Sequence, residues 1–164
     1  MDPVQVSIVV DGTRERVFDY LQDIANHSGF TDHYLVDWRL TRESSVGVGA
    51  GARFRVKAPR NRFGWAGVSF AEVQRPYRIV EVGSSGKGNR IRTVGVYELA
   101  TGSGGTTRIT FTFQTEPAKV SDKLMESLGG RMWIKRQNTR ALRRLRAILE
   151  GEARPGQRVT VAGR

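Results

Sequence analysis

The side chains able to move a proton are few in this chain, and they fall on strand-like and helix-like segments rather than in a catalytic string. Tyr77, Ile79 and Glu81 alternate, so Glu81 shares a face with apolar neighbours and is a candidate buried carboxylate. A single bulge would turn it outward, and an exposed strand glutamate is an equally good reading. Ile91 and Leu99 enclose Thr93 and Tyr97 at the same two-residue period, so an inward Ile91 brings a hydroxyl and a phenol with it. Asn138 interrupts an apolar helical stripe, with Arg131 near its edge. An unpaired buried amide costs about 1–3 kcal/mol, so Asn138 either bonds a neighbouring strand or reaches a ligand. His33, beside Asp32 and Tyr34, is the more tempting acid/base of the two histidines, the other being His27, although a histidine in a polar loop is usually only solvated. If Tyr97, Glu81 and His33 point into an apolar hollow, general acid–base chemistry becomes available, because burial tunes such groups toward neutrality.

Other chemistries lack their residues. The chain has no cysteine, hence no disulfide, no thiolate metal site and no cysteine nucleophile. No histidine and carboxylate cluster has metal-ligand spacing, no Gly-x-Ser-x-Gly elbow is present, and no motif calls for a cofactor. Gly47, Gly49 and Gly51 imitate a phosphate loop, but a strand follows them rather than a helix, so they read as a hairpin turn.

The elements that would position the candidates follow from periodicity. Val4, Val6, Ile8 and Val10 alternate with polar residues and predict a half-buried strand. Asp11-Gly12 ends it, and Thr13 has the chemistry of an N-cap for a helix whose stripe is Val17, Phe18, Leu21 and Ile24. A second short helix is expected around Asn26 to His33. From there the period is two: strands are expected over 35–42, around Phe54 to Ala58, and over 63–74, 77–83, 91–99 and 107–115, separated by glycine and proline turns. A long amphipathic helix over 119–150 closes the chain, with Val120, Leu124 and Leu128 before Gly129-Gly130 and Ile134, Ala141, Leu142, Leu145, Ile148 and Leu149 after it. Two adjacent glycines cost roughly 1 kcal/mol each in a helix, which predicts a kink there. One helix laid across a curved antiparallel sheet leaves a hollow between them.

A chain of 164 residues is expected to be one domain, residues 1–150, with a flexible tail over 151–164. Its apolar runs fall far short of the ~20 residues of a membrane span, and the start lacks a signal-peptide pattern, so a cytoplasmic protein is expected. Of the net charge of +11, +8 lies between Arg131 and Arg164, where ten Lys or Arg meet two Glu. Such a run is most simply a solvated helix face. Peripheral contact with an anionic membrane is a further expectation, and nucleic acid is disfavoured because exposed aromatics are not interleaved with the basic residues.

The strand Val6 to Val10, the phrase from Asp11 to Leu21 with Asp23, and the hairpin Gly95-Val96-Tyr97-Glu98-Leu99 leading to Gly105-Thr106-Thr107-Arg108-Ile109 resemble the polyketide cyclase/dehydrase group of the START-like, or Bet v 1-like, SRPBCC superfamily. The resemblance spans roughly residues 4 to 150 and rests on fold signatures rather than catalytic ones. It implies an α+β helix-grip: a seven-stranded antiparallel sheet curved around a long C-terminal helix, with two short helices after the first strand. It also implies a cavity for an apolar or aromatic molecule. The expected function is binding or transport of a lipid, polyketide or isoprenoid, with Trp65, Thr93, Tyr97, Phe111, Phe113, Asn138 and Arg131 as candidate ligand contacts. The alternatives are a cyclase or dehydratase acting through Tyr97, Glu81 or His33 in the same cavity, and an association with ribosome, nucleic acid or membrane through the basic helix.

Overall fold

In a computed structural model, which describes residues 2–58, 62–117, 130–152 and 160–161, an antiparallel sheet curls around a C-terminal helix. The strands are β1 (Val4–Asp11), β2 (Leu35–Leu40), β3 (Gly51–Ala58), β4 (Arg62–Gln74), β5 (Arg78–Ser85), β6 (Ile91–Thr101) and β7 (Thr106–Pro117). Their order across the sheet is β1-β7-β6-β5-β4-β3-β2. Helices α1 (Arg14–Leu21) and α2 (His27–Thr31) follow β1, and α3 (Gly130–Leu149) crosses the concave face. The α+β helix-grip expected from the resemblance is therefore the observed fold. Residues 118–129, which carry Val120, Leu124, Leu128 and the first of the paired glycines, lie outside the described residues.

Local chemistry explains the elements. The Thr13 hydroxyl accepts from the Arg16 amide at 3.3 Å and starts α1, whose Val17, Phe18 and Leu21 are buried. At the far end of α3 the Arg16 guanidinium donates to the Leu149 carbonyl at 2.7 Å, supplying a cation to the helix C-terminus. The corner between α2 and β2 is clamped to α3 by Arg144, which bonds Asp32 Oδ1 at 2.7 Å and the Gly29 carbonyl at 3.3 Å. Gly47 and Gly49 adopt φ of +83° in the β2–β3 turn, the hairpin role expected of them.

Alternation sets which side chains face the helix, and two bulges modify it. In β2 the register shifts between Val36 and Arg39, so Leu35, Trp38 and Leu40 are all buried despite their uneven spacing. Asp37, at φ 57°, turns outward there and pairs with Arg55. In β4 the shift falls between Phe70 and Glu72. The extra residue therefore belongs to β4, and β5 keeps its period, with Ile79, Glu81, Gly83 and Ser85 on one side. Thr160 and Val161, within the stretch expected to be a flexible tail, form a short strand β8 that pairs in parallel with Arg39 and Leu40. The charged residues of α3 lie mostly outward: Arg131, Lys135, Arg136, Arg140 and Arg143 are exposed, as is Met132 at 79%. No helix among the described residues is long and apolar enough to cross a membrane.

Candidate functional site

Between the concave sheet and α3 lies a cavity of about 750 Å³. Its walls are mainly aromatic and aliphatic, from Phe30 of α2, Trp38 of β2, Phe54 of β3, Phe111 and Phe113 of β7, and Leu142 of α3. The Tyr97 and Phe111 rings stack at 4.3 Å between centroids, which fixes that wall. Two inward positions on adjacent strands carry glycine, and neighbouring atoms fill the room that a Cβ would need there. Gly83 pairs with Thr93, and Gly95 sits between Glu81 and Phe113 across three strands. A Cβ on Gly95 would lie 2.6 Å from Glu81 Cγ, so only glycine leaves room for the carboxylate arm.

A small polar group is set into this apolar wall. Glu81 reaches the cavity from β5 with no hydrogen bond or ion pair to any described residue, and desolvation pushes its pKa up to about 7. Tyr97 from β6 and Tyr34 just before β2 face the same space; desolvation raises both phenols above their ordinary value, and the nearby Glu81 charge adds to it. The Tyr34 hydroxyl donates to Asn138 Oδ1 at 3.1 Å. Asn138 is 4% exposed, and its Nδ2 has no partner among the described residues. No lysine or arginine lines the cavity among those residues.

The structure brings Glu81, Thr93, Tyr97, Phe111, Phe113 and Asn138 to one cavity. Three other candidates sit elsewhere. Trp65 is on the convex face: β3–β4 pairing sets Ala66 opposite buried Phe54, so Trp65 opposes Arg55 outside. There it is 41% exposed, with the Arg53 and Arg39 guanidinium groups 5.4 and 5.8 Å from its ring. Ala66, Val68 and Phe70, all lining or buried, were the alternation that marked the inner face of this strand. Arg131 projects to solvent from the first turn of α3, while its neighbours Gly130, Trp133 and Ile134 border the cavity. His33 does not line the cavity; its Nε2 meets the Gln137 carbonyl at 3.3 Å, a strut between the β2 corner and α3. Burial lowers its pKa, opposed by that hydrogen bond and assisted by Arg140 and Arg144.

Several lining residues, Tyr34, His27 and Trp133 among them, were not put forward as site residues from the sequence. His27 is buried, with its ring 5.2 Å from Phe30, 5.6 Å from Phe70 and 5.6 Å from Tyr97. Its Nε2–H donates to the Leu21 carbonyl at 2.8 Å, and desolvation brings its pKa down to about 4, so the ring is neutral at physiological pH. The available signal was helical spacing, since Phe30 and Thr31 follow at the third and fourth positions. Trp133 also borders the cavity and meets Tyr34 edge-on at 6.0 Å.

Tyr34 and Asn138 form a testable pair. Tyr34→Phe leaves the whole Asn138 amide unpaired and is expected to lower stability by about 1–3 kcal/mol. On an Asn138→Leu background the same change is expected to cost almost nothing. Urea midpoints of the four proteins give the coupling; additive effects would show that the 3.1 Å contact contributes nothing.

Residues 11–150 match the family model described as "Activator of Hsp90 ATPase homolog 1-like protein". The chain belongs to this family. No curated protein matches it in sequence. Solved structures share the fold at low identity. The TTHA0849 protein of Thermus thermophilus is 12% identical, with a TM-score of 0.70, and the match covers 93% of this chain and 99% of that one. The KanY protein is 12% identical, with a TM-score of 0.72 over 91% and 97% of the two chains. A protein from Nitrosospira multiformis is 18% identical, with a TM-score of 0.62 over 92% and 99%. Family and neighbours agree with the START-like resemblance of the sequence, and the fold is one that commonly binds hydrophobic ligands or cyclises polyketides.

Proposed function

We propose that this protein binds a hydrophobic small molecule in the cavity between sheet and α3. The observation that supports it most is the cavity of about 750 Å³, lined mainly by aromatic and aliphatic side chains. A close-packed interior has few voids larger than a water molecule, so a space of this size points to a resident. Lipid, isoprenoid and polyketide bodies all suit such walls.

A ligand selective for the folded state stabilises it by mass action, by about 2.7 kcal/mol at a hundredfold excess over Kd. A panel of fatty acids, isoprenoid quinones and aromatic polyketides is expected to contain members that raise the melting temperature by several degrees and displace an apolar fluorescent probe. A panel with neither effect would remove the binding reading.

Acid–base catalysis on a polyketide-like substrate is the second reading, favoured by one observation. Glu81 titrates near neutrality beside two phenols, Tyr34 and Tyr97, inside the same cavity. Turnover of a cyclisable polyketide analogue that disappears in Glu81→Gln would support catalysis over carriage.

A further inference from the structure

We propose that the cavity selects an uncharged, aromatic-bodied molecule that presents a carbonyl oxygen to the Asn138 amide and the Glu81 carboxyl. This deepens the binding function proposed above and rests on it.

The polar contacts define what the ligand must supply. The Tyr34 hydroxyl occupies Asn138 Oδ1 at 3.1 Å, which turns the amide so that Nδ2 carries its hydrogens elsewhere. That nitrogen is buried without an acceptor among the described residues, so it is a donor waiting for an oxygen. Glu81 lies in the same cavity and is likewise without a described partner. Gly95 holds its place, because any side chain there would strike the carboxylate arm.

Charge decides between ligand classes. No cationic side chain lines the cavity among the described residues, so a carboxylate or phosphate head would be buried with no counter-charge and with Glu81 nearby. A neutral carbonyl meets no such penalty, and it accepts from both Asn138 Nδ2 and a protonated Glu81. The titratable groups facing Glu81 do not disturb this. His27 of α2 is neutral above about pH 4, and the raised phenols of Tyr34 and Tyr97 keep their protons. The described lining residues of β3, β4, β7 and α3 are all uncharged. Because free Glu81 ionises above about pH 7 and the carbonyl complex needs it protonated, binding above that pH must take up a proton, and affinity falls with increasing pH. An amine ligand would pair with ionised Glu81 and show the opposite slope.

Four molecules on one ring system separate these cases: fluorene, fluorenone, 9-aminofluorene and fluorene-9-carboxylate. Dissociation constants are measured at pH 6 and pH 8.5 for the unmodified protein, Glu81→Gln and Asn138→Leu. Fluorenone is expected to bind about tenfold tighter than fluorene at pH 6 and to lose most of that advantage at pH 8.5. Glu81→Gln is expected to keep the ketone preference without its pH dependence, and Asn138→Leu to reduce it at both pH values. The pH profile of the unmodified protein tests the proposal even if a variant fails to fold. Equal affinity for ketone and hydrocarbon, preference for the carboxylate, or amine binding that tightens with pH would overturn the carbonyl proposal while leaving the cavity as a binding site. Binding of none of the four overturns the proposal, and if the wider panel is also silent the binding function falls with it.

Discussion

Glu81→Gln is expected to stabilise the protein by up to about 3 kcal/mol at pH 8 and to leave it unchanged near pH 4. The carboxyl is held in an apolar cavity with its pKa raised from 4.5 to about 7, so the folded state favours the protonated form. Its contribution is complete below the unfolded value of 4.5 and is lost as pH rises through about 7. Glutamine matches the shape of the protonated acid and cannot ionise, so the variant escapes that loss. His27 and His33, with lowered pKa values, make stability fall as pH drops below 6.5, but they do so in both proteins and cancel from the difference. Urea melts of the two proteins at pH 4, 6 and 8 provide the comparison. A difference independent of pH would show that Glu81 is solvated, and both the second reading and the carbonyl proposal would lose their carboxyl.

Thr93→Trp is expected to reduce affinity for every cavity ligand by about a hundredfold or more while the protein stays folded. Thr93 faces the cavity from near the start of β6, beside Gly83 on β5 and Thr115 on β7. An indole there projects into open space rather than into packed core, and tryptophan is at home on a strand. A fluorescent apolar probe titrated into both proteins, with circular dichroism to confirm the fold, measures the effect. A folded variant that binds as tightly as the parent would place the ligand elsewhere.

Much of this architecture was legible because alternation and capping are local. The β1 pattern, Thr13 as a cap and the inward set of Ile91, Thr93, Tyr97 and Leu99 each depend on a few neighbouring residues, and each matches the structure. Glu81 was undecided because its direction depended on which strand carried a bulge, and the extra residue proved to be in β4. Trp65 was misplaced for a related reason. Aromatic character suggested the inner face, whereas register with β3 decided it, and flanking arginines accept an exposed indole. His33 was considered for its residue type beside Asp32 and Tyr34, and Arg131 for its place near the edge of the apolar stripe, but a contact to the Gln137 carbonyl holds one outside the cavity lining and solvent takes the other. Partnering across the chain, such as Tyr34 with Asn138, leaves no mark in spacing and emerges only when α3 is laid across the sheet.

The location of a bound molecule tests the account most directly. Intermolecular nuclear Overhauser effects from a saturating apolar ligand, fluorenone or the best member of the panel, report which side chains it touches. The account predicts contacts to Thr93, Phe111 and Leu142 inside the cavity and none to Trp65 on the convex face. Contacts to Trp65 without the cavity set, or no bound ligand at any concentration, would contradict it.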